Sequence, residues 1–243
     1  MKERDWVGEL SNYLQHIFLR FCELAGQPRL IGGLRINPPL AIEEAKYFLL
    51  GLERGLFCPY EEGHVQSELL SHLGTEDFKQ VVCQIFAHTP PPPRIVRESV
   101  CQLATASTLV LERGWLPNQI KMATGDAASY GVDMIVESGA GEILVSVEIK
   151  RSEHELQKFT NDFRECCKRG EHPKSDCAFQ QNHGIYEYCV RYQPPYLWAV
   201  APGHDVCFKL CYLDRMIDLE EMQMLPARSH IEFASSQTSA LEE

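Results

Sequence analysis

Apolar positions in the first ninety residues recur mainly at helical spacing. Trp6, Leu10, Tyr13, Leu14, Ile17, Phe18 and Phe21 fall at three- and four-residue steps, the stripe of one helix face, and Gly26 with Pro28 stops the pattern. A second helix is expected from Asn37 as cap, through Pro38 and Pro39 in the first turn and Tyr47, Leu50 and Leu52, to Gly55. Shorter helical patterns run from Val65 to Leu73 and, capped by Thr75, through Phe78, Val82 and Ile85. Residues 1–89 therefore read as an α-helical module, and Pro90 to Pro93 as a stiff, extended boundary.

Beyond the prolines the period changes. Ile95 to Arg113 keeps a helical stripe of Val96, Val100, Leu103 and Val110 and ends at Gly114. Leu116 to Met122 reads as a strand whose ladder pairing Pro117 confines to its later part. Val132 to Val136 and Glu142 to Lys150 are β-rich runs joined across Gly139 and Gly141, which predicts a hairpin. Ser152 and Glu155 form a capping-box pattern ahead of an amphipathic helix carrying Leu156, Phe159, Phe163 and Cys166. A helix near 183–192 and strands at Tyr196 to Val200 and Val206 to Tyr212 follow. The expected architecture is α/β: a core over 94–225 in the order helix, three-strand meander, helix, further strands, with a C-terminal tail at 226–243.

Composition narrows the function classes. The 243 residues carry a formal charge of −11, the wrong sign for a general nucleic-acid coat, whose affinity rests on Lys and Arg displacing counterions. The acid is concentrated at the ends: −4 over residues 1–90, −1 over 91–175 and −6 over 176–243. The middle third repels a polyanion least, and the acidic flanks suit a protein partner on the N-terminal module. With no apolar signal-peptide core in MKERDWVGEL and no apolar run long enough for a membrane span, the chain reads as cytoplasmic with no membrane association, and its ten cysteines as mostly reduced, buried thiols.

The candidate chemistry lies in the hairpin. Alternation along Glu142 to Lys150 places Ser146, Glu148 and Lys150 on one strand face and Val145, Val147 and Ile149 on the other, so the apolar face is expected to pack on a helix while the polar face is presented. A tight turn lets Asp133 lie opposite the end of the second strand, which gathers two carboxylates and an ammonium in a small volume. Carboxylates that close repel unless a cation separates them, and hard oxygen ligands of this kind suit Mg²⁺, with Mn²⁺ as its substitute.

Helix, hairpin with Asp133 and Glu148-Ile149-Lys150, helix and further strands, over roughly 94–212, resembles the PD-(D/E)XK nuclease superfamily, the restriction-endonuclease-like fold. The resemblance implies Mg²⁺ held by Asp133 and Glu148, Lys150 acting on the attacking water, and support from Glu98 on the preceding helix and Gln157 on the following one, with Glu112 a weaker alternative to Glu98. Val132 stands where the motif has its Pro. The implied activity is metal-dependent phosphodiester hydrolysis, DNA favoured over RNA, with defence or DNA repair as the setting by fold-level analogy. The competing reading is a nuclease-like scaffold without catalysis that binds protein or nucleic acid.

Arg164, Lys168, Arg169 and Lys174 are candidate phosphate contacts along the approach to that site. Cys166, Cys167, His172, Cys177 and His183 offer thiolates and imidazoles, but their spacing contains no C-x-x-C pair, so zinc is not expected. Phosphate-loop, zincin, nucleophile-elbow and dinucleotide motifs are absent from the sequence.

Overall fold

The computed structural model describes residues 3–24, 33–73, 81–87, 93–123, 131–180, 182–213 and 216–231. Helices α1 (Trp6–Leu24) and α2 (Ile42–Glu53) are followed by strands β1 (Cys58–Tyr60), β2 (His64–Ser67), β3 (Ser71–His72), β4 (Val81–Gln84), β5 (Phe86–Ala87) and β6 (Arg94–Ile95). Helix α3 (Arg97–Leu111) leads into the consecutive strands β7 (Ile120–Met122), β8 (Met134–Glu137) and β9 (Ile143–Ile149). Helices α4 (Glu153–Arg169) and α5 (His183–Tyr192) precede β10 (Tyr196–Ala201), β11 (His204–Leu213) and β12 (Met216–Met222). The protein is mixed α/β, and the order expected after the prolines, a helix, a three-strand meander, a helix and further strands, is present.

Seven strands form one mixed sheet in the order β12-β11-β10-β9-β8-β7-β3. The β7-β8-β9 meander is antiparallel, β10 runs parallel to β9, and β11 and β12 complete the sheet as antiparallel neighbours. A parallel neighbour needs a long crossover, which α4, α5 and the segment between them supply. Both sheet faces are covered. Met134, Val136, Val145, Val147 and Trp198 pack with Leu10, Leu14, Phe18 and Phe48 of the first two helices and Val100 and Leu103 of α3. On the other face Ile135, Leu197 and Ala199 pack with Leu156, Phe159 and Phe163 of α4 and Ile185 and Tyr186 of α5. The face that alternation marked as polar is therefore mostly covered: Ser146 is fully buried, and Glu148 and Lys150 are partly buried.

The expected all-helical module over 1–89 needs correction. Val65 to Leu73 and Val82 to Ile85 are strands and turns: β2 and β4 pair with β1 in a small antiparallel sheet, and β3 joins the large sheet beside β7. Burial alternates at period two in both segments, with Val65, Ser67, Val81 and Cys83 inward, and a short apolar run can satisfy a helical spacing and a strand spacing equally. Thr75 and Phe78, invoked for the second of those helices, lie outside the described residues. Helix α2 starts at Ile42 rather than at Asn37; Pro38 and Pro39 belong to the segment before it, and Glu44 accepts from the Ala41 N–H at 3.2 Å to close its first turn. The stretch expected as a tail holds the chain until at least Ile231, which is buried in the core, and the Arg228 N–H donates to the Arg113 carbonyl at 2.9 Å.

Two contacts tie these layers to the hairpin. Arg97, the first residue of α3, is buried with Glu44 of α2: their ion pair spans 2.7 Å, and the guanidinium also donates to the carbonyls of Pro38 at 3.1 Å and Pro39 at 3.4 Å. Gly131, two residues before Asp133, has φ of +71°, and a Cβ there would meet the Gly184 carbonyl oxygen of α5 at 2.9 Å.

Removing one member of a buried ion pair leaves the other charge uncompensated, so Arg97→Met should lower stability by about 3–5 kcal/mol, while the double variant Glu44→Leu/Arg97→Met should recover most of that loss. Urea unfolding of the three proteins checks this; equal losses in the single and double variants would show that the pair is not coupled. Gly131→Ala should cost about 2 kcal/mol or more from its left-handed backbone and the close approach of Gly184, read from the same unfolding curves.

Candidate active site

The hairpin register decides the site. Met134 pairs with Val147 and Ile135 with Ser146, so the antiparallel pattern continued by one residue sets Asp133 directly opposite Glu148. Residues opposite one another on such a pair have Cβ atoms about 4.5–5.5 Å apart and share a face. Asp133 lies just before β8 begins, and there its side chain takes over the ladder: Oδ2 accepts from the Ile149 N–H at 2.6 Å, while the Asp133 N–H donates to the Val147 carbonyl at 3.2 Å. On the other side of β9, the Lys150 N–H donates to the Val200 carbonyl at 2.7 Å. The end of β9 is thus held from both sides at the residues that carry the chemistry.

Lys150 Nζ donates to Glu148 Oε1 at 2.6 Å and sits 4.9 Å from the centre of the Phe159 ring of α4. Helix α3 brings Glu98 in its first turn to the same place: Glu98, Gln102 and Asp133 line a cleft of about 480 Å³ together with His64, Ala123 and Gln84. Gln102, one turn beyond Glu98, is buried and donates to the main-chain carbonyls of Asp133 at 2.8 Å and Ala123 at 3.2 Å, which anchors the strand entry on the helix. Across the cleft mouth, Ser152 caps α4 by accepting from the Glu155 N–H at 3.3 Å, whereas the Glu155 carboxylate pairs with Arg151 instead of completing the box.

Burial and crowding set the charge states. Burial raises Glu148 most, the Asp133 carboxylate raises it further, and Lys150 only partly opposes them, leaving Glu148 pushed up to about 8. Burial also raises Asp133, against the Ile149 N–H and Lys150, which favour its charged form. Glu98 is raised by burial and then by Asp133. Burial alone would lower Lys150, but Glu148, Asp133 and Glu98 together outweigh it, so its affinity for a proton is raised and it remains an ammonium at neutral pH. Three carboxyl groups face one ammonium. The oxygen donors and their shared preference for the protonated form fit a divalent cation, which would stabilise all three as carboxylates.

Asp133, Glu148, Lys150 and Glu98 are brought together. Gln157 is not among them: it is exposed on α4, donates to Glu153 Oε1 at 3.0 Å, and is turned about 200° around the helix from Glu155 and Phe159, which face the site. Glu112 accepts from the Tyr47 hydroxyl at the opposite end of α3, about 20 Å along the axis from Glu98. Arg164, Lys168 and Arg169 follow α4 away from the site, Arg169 lying about 20 Å along the axis from Glu155. Arg164 pairs with Glu221, Lys168 with Glu165 at 2.7 Å, and Arg169 donates to the Asp176 carbonyl at 2.5 Å; Lys174 lies beyond the helix in a 3-10 turn. These four cations do not line the cleft.

Of the cleft residues that the sequence reading lacks, Gln102 and His64 are the polar ones with a candidate role. Gln102 carries a signal in retrospect, a polar side chain one turn after Glu98 on the same face of the helix; His64 carries none. Away from the cleft, the structure gathers Cys166, His172, Cys177 and His183, while Cys167 of the same sequence cluster stays outside the group. Among the described residues no helix is long and apolar enough to cross a membrane. No family model matches the chain, and no curated protein matches it significantly.

Proposed function

We propose that the protein is a metal-dependent nuclease with a restriction-endonuclease-like core, hydrolysing phosphodiesters of DNA in preference to RNA in a defence or repair setting. The observation that carries this reading is the partly buried carboxyl pair Asp133 and Glu148 at the end of the hairpin, with Lys150 bonded to Glu148 and Glu98 lining a cleft with Asp133. An ordinary surface hairpin would leave these groups fully solvated, and drawing the two hairpin carboxyl groups largely out of water beside the exposed Glu98 has no benefit for folding that apolar residues would not exceed.

Asp133, Glu148 and Glu98 would hold Mg²⁺ or Mn²⁺. Bound there, the cation supplies Lewis-acid polarisation of the phosphoryl oxygens and offsets charge in the transition state. The chain's own groups divide the remaining work. The Ile149 N–H fixes the Asp133 carboxylate, and Gln102 fixes its main chain, so that one ligand is positioned before substrate arrives. Lys150, kept protonated by the carboxylates around it, orients the attacking water as a hydrogen-bond donor and places positive charge beside phosphorus as negative charge develops. Water adds its oxygen to phosphorus and gives up a proton to solvent as the P–O ester bond breaks, and the leaving oxygen takes up a proton in return, so that none is gained or lost overall. The near-neutral segment 91–175 lets a polyanion reach this site although the whole chain carries −11.

Supercoiled plasmid, linear duplex, single-stranded DNA and RNA, incubated with the full chain with and without Mg²⁺, test the proposal. Cleavage of DNA that requires the metal is expected, with Glu148→Gln and Lys150→Ala each slowing it by about 10²-fold or more while circular dichroism stays unchanged. Wild-type rates in both variants would sink it. No cleavage of any substrate by the wild type, combined with no Mg²⁺ binding that Asp133→Asn removes, would replace it with the non-catalytic scaffold.

The charge states give a second check. Glu148, Asp133 and Glu98 all hold protons more tightly folded than unfolded, so their contribution to stability in chelator is full below the ordinary carboxylate value near 4.5 and falls as pH rises, Glu148's share being lost as pH passes about 8. Unfolding midpoints in chelator should fall over that range, and Glu148→Gln should flatten the fall. A wild-type and variant difference that stays constant with pH would contradict this assignment.

A further inference from the structure

The connection between α4 and α5 holds a second constellation that phosphodiester chemistry does not use. Cys166 lies in the last turns of α4, His172 and Cys177 in the connecting segment, and His183 is the first residue of α5. One ligand atom from each converges, all four lying within 4.8 Å of one another. The two sulfurs are 3.4 Å apart, well beyond the bond length of about 2.05 Å in a disulfide.

The imidazoles are prepared as ligands. His172 Nδ1 faces the Gly170 carbonyl at 2.6 Å; a carbonyl only accepts, so Nδ1 carries the proton and Nε2 keeps its lone pair. That Nε2 is buried without a hydrogen-bond partner. His183 is fully buried, with neither ring nitrogen hydrogen-bonded and Nε2 lying 3.3 Å from the Glu187 carboxylate. Ligating histidines characteristically direct the second ring nitrogen to a carbonyl, as His172 does, or to a carboxylate, and Glu187 stands within reach of His183 for that role. The Phe179 N–H donates to Cys177 Sγ at 3.3 Å, a contact that stabilises a thiolate. Buried polar nitrogens left unpaired cost free energy, and here they point at two thiols.

We propose that Cys166, His172, Cys177 and His183 bind one structural Zn²⁺. Soft thiolates with imidazoles select zinc over the hard cations that suit the carboxylate cleft. Tetrahedral zinc with bonds of about 2.0–2.3 Å needs nitrogens roughly 3.3 Å and sulfurs roughly 3.8 Å apart; the sulfurs, at 3.4 Å, would part by a few tenths of an ångström, and the remaining pairs reach their spacing by side-chain rotation. Four protein ligands leave no open position for water, which makes the centre a staple and not a catalyst. It fixes the end of α4, the connecting segment and the start of α5 to one another. His183 is followed by Gly184, whose carbonyl lies against Gly131 two residues before Asp133, so the staple also buttresses the strand entry of the cleft. The zinc site stands independently of the nuclease reading.

Untagged full-length protein, purified without added metal and analysed by plasma mass spectrometry, should contain one zinc per chain. Cys166→Ser and His183→Ala should each weaken zinc binding by at least about tenfold, while Cys167→Ser, the neighbouring buried thiol outside the group, should keep it. Exchange of Co²⁺ into the wild type should give the intense visible bands of a tetrahedral, thiolate-ligated ion, lost in Cys177→Ser. Wild-type protein that takes up neither Zn²⁺ nor Co²⁺, or in which Cys166 and Cys177 are joined as a disulfide in the purified state, overturns the proposal. If the variants fail to fold, the wild-type metal content and cobalt spectrum decide the question alone.

Discussion

The register between β8 and β9 is the constraint on which the rest depends. Because Met134 pairs with Val147, Asp133 must face Glu148, and two carboxyl groups are committed to one volume before any other element arrives. A slip by one residue would turn Glu148 and Lys150 to the opposite face and send Val147 and Ile149 among the side chains of α4. The Asp133 side chain itself guards against that slip, since its bond to the Ile149 N–H forms only in the observed alignment. Lys150, the Phe159 ring beneath it and Glu98 on α3 are then arranged around a charge distribution that the hairpin has already set.

The first two helices are not an appendage to this hairpin. Their apolar faces share a core with β8, β9 and α3, and the buried Arg97–Glu44 pair clamps α2 to the turn of α3 that carries Glu98. Burying that pair is costly compared with apolar packing, and its geometry explains what it accomplishes: the guanidinium also gathers the carbonyls of Pro38 and Pro39, so the segment entering α2, the helix itself and the start of α3 are oriented by one side chain. The position of Glu98 relative to Asp133 follows from that orientation.

Much of this was legible in the sequence where a long pattern had one solution. Nineteen residues of helical stripe in α1, the seven alternating residues of β9 and the amphipathic α4 leave little room for another secondary structure, and the Asp133, Glu148 and Lys150 grouping follows from β9 and a short turn. Short segments failed. The four residues of β2 or β4 fit either period, and β12, an edge strand with acidic residues on both sides, offers only Ile217 and Leu219 as an alternating apolar pair. Side-chain roles that depend on which way a helix is turned were also hidden: Gln157 has the residue type suited to the site but lies on the wrong face of α4, and the basic run after it follows the helix away. Cys166, His172, Cys177 and His183 come from a helix end, a connecting segment and a helix start, so no paired-cysteine spacing marks them, and only folding brings them together.

The bond from the Lys150 N–H to the Val200 carbonyl has a consequence for the order of assembly. Every residue of the cleft's acidic cluster is synthesised by position 150, yet the strand that secures the end of β9 begins at Tyr196, after the whole crossover through α4 and α5. Closing so long a loop has an entropic cost that must be met before the parallel pairing offsets it, which makes β10 a late arrival. A nascent or truncated chain that ends before β10 carries all four side chains of the site, but Glu148 and Lys150 then lie at an unpaired strand edge, without the neighbour that fixes their geometry. Such a chain holds the composition of the cleft but not its shape, and the proteins of the cell meet the assembled centre only on a nearly finished molecule.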